Sequence, residues 1–504
     1  MKTDIVLVKA NNQKKIFQDL SKDLSGKEPP LWIILTAAFL REKGFTVSVI
    51  DAEAENLDVK ETVKRAMAFD PLLVSVIVSG TNPSASTINM PSARDVLAGF
   101  RDAAPQVIRA IGGLHPSALP ERTLREEPAD FLFKGEGFRA HAELLDELKS
   151  GKSRADDFSI KGLWQNKSGN IVPNPDDPNI EDLGELPMAA WDLLPMDRYR
   201  AHNWHCFGHI EERNPYAVIY TSLGCPFRCG FCCINAIFGG PGIRYRPPVK
   251  VIEEVDYLVK NYGVKNIKVL DELFAMNWRH VEEICDGLIE LGHELNLWVY
   301  GRVDTVKPFM LEKMKKAGIN WIAYGFEAGS KKVRDGVSKG RFDQDQIKEI
   351  VKMTHDAGIN IVANFIFGLP DDDKETMQET LDLAKELNCA YANLYCAMAY
   401  PGSQLYNDAV EQGLALPKDW SAYSQFSVDS LPLPTKHLSS GEVLKFRDLA
   451  FDDYHADPKY LNMIKEKFGE KTLENITTMC SVKLKRNNYE YNDNQYFSNT
   501  GDIL

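Results

Sequence analysis

TSLGCPFRCGFCCINAIFGG, residues 221–240, places four cysteines within nine positions of a 504-residue chain that has nine in all. Cys225, Cys229 and Cys232 follow a CxxxCxxC spacing, with Cys233 pressed against the last. Gly224, Pro226 and Gly230 let the backbone between them wrap around a ligand. The stretch begins inside YAVIYTSLG, a β-branched and aromatic run that reads as a strand. A thiol-rich loop at the carboxyl end of a strand is therefore the point from which the fold is worked out.

Beyond it the pattern alternates. NIKVLDE, NLWVYGRV, NWIAYGFEAG, NIVANFIFGLP and AYANLYCAMAY read as five further strands, with amphipathic helices near 248–261, 278–291, 307–316, 343–356 and 373–387. Six β/α units over residues 211–400 predict a partial (β/α)6 barrel of the TIM type, with its chemistry at the carboxyl ends of the strands. Upstream, DIVLVKA, FTVSVIDAE, PLLVSVIVSG, VIRAIGG and ADFLFKGEG read as five more strands alternating with helices. Residues 1–150 are thus expected to form a doubly wound, Rossmann-like α/β domain whose ligand lies at the strand ends. Residues 151–210, rich in Pro, Asp and Asn, read as a linker. Residues 401–504 read as a small helical region whose polar tail, KRNNYEYNDNQYFSNTGDIL, is expected to be loose or to act as a lid.

With 44% hydrophobic and 26% charged residues, the composition is that of a globular protein. No apolar run approaches the ~18 residues of a membrane span, and MKTDIVLVKANNQKK meets charge too early for a secretory signal, so a cytoplasmic location is expected. The formal net charge of −13, without a long basic run, argues against nucleic acid as a partner. Nine cysteines, odd in number and half-clustered, do not form a disulfide framework.

Two metal readings compete for the cluster. Structural zinc wants four closed ligands, usually as two separated pairs, and no second CxxC or HxxxH pair is present. Three thiolates suit a [4Fe-4S] cluster with one iron left open to a ligand. Cys233 reads as a packing residue.

At these residues the sequence resembles the radical S-adenosylmethionine (SAM) superfamily, whose signature is CxxxCxΦC with an aromatic at Φ, here Phe231. The resemblance implies that Cys225, Cys229 and Cys232 hold the cluster and that its open iron chelates SAM. Other strand ends resemble the family's motifs as well: DELF with Asp271, Arg302 after the third strand, YGFEAGS with Glu327, and NFIFGLPDD with Asn364, Gly368 and Pro370. The resemblance makes Phe231, Asp271, Arg302, Glu327, Asn364 and Gly368 SAM contacts, Gly368 by close approach to adenine. Lys339 and Gly340 resemble a KG element, against the reading of Lys339 as a solvated lysine. YPGSQLY at 400–406 extends the resemblance to the end of the barrel.

The front domain resembles that of the cobalamin-dependent class. GGLHPSALPERTL carries Gly112, Gly113, His115 and Pro116, FLFKGEGF carries Gly135 and Glu136, and SGT supplies Ser79, Gly80 and Thr81. All nine are implied cobalamin contacts. EPPLW departs from the family's PPLG at Trp32, and the DxHxxG motif that gives cobalt a histidine is absent. His115 is therefore expected to shape its loop by a hydrogen bond rather than to ligate cobalt.

The resemblance implies a cobalamin-dependent radical SAM methyltransferase. Its cofactors would be a [4Fe-4S] cluster, SAM and cobalamin, its substrate a small molecule methylated at an unactivated carbon or at phosphorus, and its reductant a flavodoxin or ferredoxin. Cyclisation or oxidation with the same cofactors, as in the oxygen-independent cyclase of bacteriochlorophyll synthesis or in ring contraction, stands as an alternative, and a non-catalytic sensor as a weaker one. The aromatics Trp420, Tyr423 and Phe426 are candidates either for plain core or for the roof of a substrate pocket.

Overall fold

The computed structural model describes residues 3–11, 16, 18, 25–79 and 86–490. In the front unit β1 (Ile5–Lys9), β2 (Val47–Asp51), β3 (Leu73–Val78), β4 (Ile108–Gly113) and β5 (Phe131–Phe133) lie parallel in the order β2-β1-β3-β4-β5. β1, β3 and β4 are buried along almost their whole length, which is why they read as continuous apolar runs. Strand order reverses between β1 and β3, the place where such sheets open a crevice. Gly80 and Thr81, read as lining it, lie outside the described residues.

The segment expected to be a linker carries two more strands of this sheet. β6 (Leu163–Lys167) pairs antiparallel with β5, and β7 (Asn170–Pro173) with β6. Ser168 and Gly169, at φ +51° and +95°, form the two-residue turn between them, and both central residues have the positive φ that a type I′ hairpin demands. The rest of the segment, 183–212, is a chain of short 3₁₀ turns laid over the barrel.

The second unit is an open parallel sheet of six strands, β8 (Tyr216–Ile219), β11 (Asn266–Val269), β12 (Asn296–Gly301), β13 (Ile319–Glu327), β14 (Asn360–Phe367) and β15 (Tyr391–Cys396), paired in chain order. A two-stranded ribbon of β9 (Ser222–Leu223) and β10 (Arg244–Tyr245) brackets the cysteine loop. Helices Pro248–Tyr262, Trp278–Leu291, Pro308–Lys316, Gln344–Asp356 and Lys374–Leu387 follow where the periodicity predicts them. Asp343 and Asp373 start the last two by accepting from the Gln346 and Thr376 amides, each closing a capping box. Helices Ser440–His455, Pro458–Phe468 and Glu470–Ser481 close the far side. Among the described residues no helix is long and apolar enough to cross a membrane.

The polar tail is tied down as far as it is described. Arg486 pairs with Asp448 at 2.8 Å, and the Asn487 amide donates to Val428 O at 2.9 Å. Trp420 and Tyr423 are buried in the core of the front unit rather than over a pocket. Where front unit, cysteine loop and post-barrel loop meet, a Cβ on Gly402 would stand 2.7 Å from Ala236 Cβ and 3.1 Å from Ala118 Cβ.

Burial leaves several histidines neutral. It holds His115, His205 and His455 down to about 3, and His141, His280 and His355 down to about 4. The unfolded chain binds protons on these rings from about pH 6.5 downward, so the stability they contribute is lost as pH falls from there toward 4. Glu272 and Asp372, pushed up by burial to about 8 and about 6, pull the other way. The depressed histidines, His202 among them, outnumber the raised carboxylates, which also include Asp271 and Glu127. Thermal unfolding of the apo-protein, followed by circular dichroism, is expected to drop by several degrees between pH 7 and 5.5; a midpoint that stays level would show that the rings titrate normally.

Candidate active site

The cysteine loop is anchored from beneath. Asp271, just after β11, is fully buried and accepts from the Thr221 amide at 2.6 Å and from Ser222 Oγ at 2.7 Å. Burial raises its pKa against the pull of these hydrogen bonds. The carboxylate is thus consumed in holding the start of the loop to β11, behind the cavity, and the role expected for it as a SAM contact is not what its placement offers. The neighbouring Glu272 takes the cavity wall instead, and accepts from the Gly224 amide at 3.0 Å. Gly224 has φ +91°, and a Cβ there would stand 2.5 Å from Gly242 O, so only glycine lets the ribbon close this tightly.

Cys225, Cys229 and Cys232 are half-buried and line one wall of a cavity of about 570 Å³. The Cys232 amide donates to Cys229 O at 3.0 Å, and Gly230 is held on both sides, donating to Val337 O and accepting from the Leu405 amide at 2.9 Å each. Burial pushes the Cys232 thiol up to about 12 and raises Cys225 as well, so a bound cation would favour the deprotonation of these two. Among the described residues no three His, Cys, Asp or Glu side chains close around a single ion. All three thiols nevertheless border the same cavity. Cys233 is fully buried, as a packing residue should be.

Four of the SAM candidates line the same cavity: Phe231, Arg302, Glu327 and Asn364. The Arg302 guanidinium lies 3.8 Å from the centre of the Phe227 ring, pairs with Asp304 at 2.9 Å, and brings Nη1 to 3.6 Å from Cys229 Sγ. Glu327 sits at φ +65° where the β13–β14 register shifts, a conformation uncommon for a non-glycine residue. Its partner is Lys339, at 2.7 Å. Lys339 is 7% exposed and faces the cavity near the Phe231 ring, which overturns its reading as a solvated lysine. Burial alone would lower its pKa; the Glu327 carboxylate outweighs that and keeps it charged. Asn364 donates to Tyr324 O at 3.0 Å and accepts from Asn393 at 2.9 Å.

Gly368 is elsewhere. At φ +79° a Cβ would stand 2.4 Å from Val443 Cγ1, and its amide donates to Asp372 at 2.9 Å. What requires glycine here is the packing of helix Ser440–His455, so the close approach to adenine expected of Gly368 finds no support in its position.

At the ends of the front strands, Gly113 has φ +119° and no room for a side chain, since its Cβ would stand 2.3 Å from Val78 O. Gly112 has only ordinary contact with Phe133, at 3.5 Å. Ser79 accepts through its carbonyl from Asn89. His115 is buried, shares a hydrogen bond of 3.0 Å between Nδ1 and Thr87 Oγ1, and meets the edge of Trp420 at 4.5 Å. Pro116 is buried beside it, and Ser117 ties Gly113 O to the Gly135 amide. Glu136 accepts from Arg244 at 2.7 Å and from the Ile180 amide at 2.8 Å, fastening front sheet, linker and β10 together. Trp32, the departure in EPPLW, stacks on Phe138 at 5.2 Å and donates to Glu136 O at 3.3 Å.

Sequence reasoning passed over Glu28. This residue of the same EPPLW stretch reaches into the barrel, where Oε1 lies 2.8 Å from Lys268 Nζ, and Lys268 in turn stands over Trp298 at 5.0 Å and Tyr300 at 5.7 Å. The signal was available: a lysine in the middle of NIKVL has to find a partner or the surface. Lys268, Trp298 and Tyr300 line the cavity, which also reaches Ile88 of the front unit and Phe426 of the C-terminal region. Cluster loop and front unit therefore face one continuous space.

Comparison with known proteins agrees with this arrangement. Residues 219–384 match the model of the radical SAM superfamily, and residues 20–145 that of the B12 binding domain. An uncharacterized methyltransferase of Pyrococcus horikoshii is 31% identical over 434 residues, covering 86% of this chain and 89% of that protein. The anaerobic magnesium-protoporphyrin IX monomethyl ester cyclase of Rubrivivax gelatinosus is 26% identical over 391 residues, 77% of this chain and 67% of the cyclase. Among solved structures, the radical SAM methyltransferase TsrM of Kitasatospora setae, with tryptophan and a SAM analogue bound, superposes with a TM-score of 0.69 at 18% identity, covering 99% of this chain and 98% of that one. The last likeness is one of fold.

Proposed function

The chain belongs to the radical SAM enzymes that carry an N-terminal B12-binding domain, and from that premise we propose that it is a cobalamin-dependent methyltransferase acting on a small-molecule substrate. The observation that carries this reading is the single cavity shared by the three loop cysteines, the Glu327–Lys339 pair and the front unit. Three thiols on one wall fit a [4Fe-4S] cluster, and the continuity of the cavity with Ile88 fits a corrin held between the two sheets. When bound, cluster, SAM and cobalamin together supply a radical able to take hydrogen from an unactivated carbon and a methyl group to replace it.

The chain's own residues hold and shield these groups. Cys225, Cys229 and Cys232 are the cluster ligands, with Arg302 beside Cys229 to offset their negative charge. Phe231, Glu327 and Asn364 are contacts for SAM, with Lys339 fixing the Glu327 carboxylate; Glu272 is added to the set on its place in the wall. Gly112, Ser79, Pro116 and Gly135 border the corrin crevice. His115 stays with Thr87 and shapes the loop. Aromatic side chains in the wall, among them Phe231, Trp298 and Tyr300, help to keep water and stray hydrogen donors from the reacting centre. An acidic flavodoxin or ferredoxin is the reductant, and the cytoplasm is where the chemistry takes place.

The test starts from protein purified without oxygen, its cluster rebuilt with iron and sulfide and hydroxocobalamin added. An absorption spectrum after desalting should show both cluster and retained corrin. Reduction with SAM and substrate-bearing extract should then yield both S-adenosylhomocysteine and 5′-deoxyadenosine. 5′-Deoxyadenosine alone would sink methylation in favour of the cyclase-like reaction, which the Rubrivivax relative also makes chemically reasonable; a cluster without retained corrin would sink the cobalamin reading.

A further inference from the structure

We propose that the apolar face formed by Met276, Trp278 and Phe309 is the docking site for a small acidic one-electron carrier protein, an inference that rests on the radical SAM chemistry proposed above. Met276, Trp278 and Phe309 are 40, 44 and 68% exposed, and the Trp278 and Phe309 rings meet edge to face at 6.1 Å. Single exposed apolar residues need no explanation. Two aromatics in contact with a methionine nearby are the residue types that anchor protein interfaces.

The position of the face picks out its occupant. Met276 and Trp278 follow β11 on the loop whose Glu272 holds the Gly224 amide, next to Cys225. Phe309 follows β12 on the loop whose Arg302 lies 3.6 Å from Cys229 Sγ. The face is thus the outer surface of the two loops whose inner residues touch the cluster-binding segment. A carrier seated there would pass one electron inward, becoming oxidised by one, while the cluster goes from the 2+ to the 1+ state with no proton moved.

Charge points the same way. Arg279 and Lys307 are exposed beside Trp278 and Phe309 and have no ion-pair partner among the described residues, Arg279 standing 5.5 Å from the Trp278 ring. Asp304, Glu282 and Asp286 nearby are already tied to Arg302 and Lys313. On a chain of net charge −13, Arg279 and Lys307 give this face a local positive edge, which suits an acidic partner.

The experiment uses full-length, cluster-reconstituted protein and the variants Trp278→Ala, Phe309→Ala and Arg279→Glu. Cluster reduction is followed by stopped-flow absorbance with three donors: reduced acidic ferredoxin, reduced flavodoxin and titanium(III) citrate. Each variant is expected to lose at least tenfold in rate with a protein donor and to stay within twofold of wild type with titanium. Calorimetric titration with the oxidised carriers should show a matching loss of affinity, and wild-type binding should weaken with salt. The ferredoxin and flavodoxin arms tell which carrier the face prefers. Unchanged rate and affinity with both, an equal loss with titanium, or a change in oligomeric state on gel filtration would each overturn the proposal, the last by assigning the face to a second copy of the chain. Wild-type protein that binds the carriers but cleaves no SAM with titanium would remove the radical chemistry while leaving the docking face standing.

Discussion

Cys229→Ala protein, reconstituted with iron and sulfide, is expected to lose the cluster absorbance and to cleave no measurable SAM while keeping its corrin. The thiol is half-buried on a loop, with the Arg302 guanidinium at 3.6 Å. Nothing in the core depends on it. The loop is held by its backbone, through the Gly230 bonds to Val337 and Leu405 and the Cys232 bond to Cys229 O, none of which an alanine disturbs. Three thiolates are the minimum that holds a cubane cluster with one iron open, so removal of one ends the chemistry rather than slowing it. The unfolding free energy of the apo-variant should lie within about 1 kcal/mol of wild type, the usual scale for a substitution that opens no cavity and strands no charge. A variant that retained its cluster and its turnover would mean that the ligands are other residues.

The largest loss of stability is expected in the helix that follows the cysteine loop. Glu254, on helix Pro248–Tyr262, is fully buried and pairs with Arg246 at 2.6 Å; it also accepts from the Trp191 indole at 2.8 Å and the Ala189 amide at 3.3 Å. Arg246, only 3% exposed, donates in turn to Tyr220 O at 2.8 Å, at the start of the cysteine loop. Glu254→Gln keeps the shape but leaves Arg246 buried without its counter-charge. Breaking a buried pair on one side costs about 3–5 kcal/mol, mainly through the charge left behind. Denaturant unfolding should show that loss for Glu254→Gln, and the double variant Glu254→Gln, Arg246→Met should recover a good part of it. Strictly additive losses would show that the two side chains act independently and that packing, not charge, is at stake.

Eleven of the strands were legible because each is a β-branched run closed by a turn residue, and the parallel sheets bury them on both faces. The loop that carries Cys225, Cys229 and Cys232 was legible because its spacing has few other uses. What was misread turns on partners distant in the chain. Asp271 and Glu272 are adjacent acids after one strand, and which of them points at Thr221 and which at the cavity depends on the pleat of that strand's last residues. Lys339 reads as a surface lysine until β13 bulges and brings Glu327 beneath it. Gly368 looks like a ligand-facing turn, and only the helix that begins at Ser440 shows why a side chain is excluded. The β6–β7 hairpin hid inside a Pro- and Asp-rich stretch because its strands, LWQNK and NIVP, are short and half-exposed at the sheet edge.

At Gly402 three segments meet with no room for a methyl group: the loop leaving the barrel, the helix after the cysteines and the helix that carries His115. Packing of that density does not slide. A side chain at position 402 would have to displace either the helix after the cysteines or the helix that carries His115, so this one glycine sets how closely the cysteine loop can approach the front sheet.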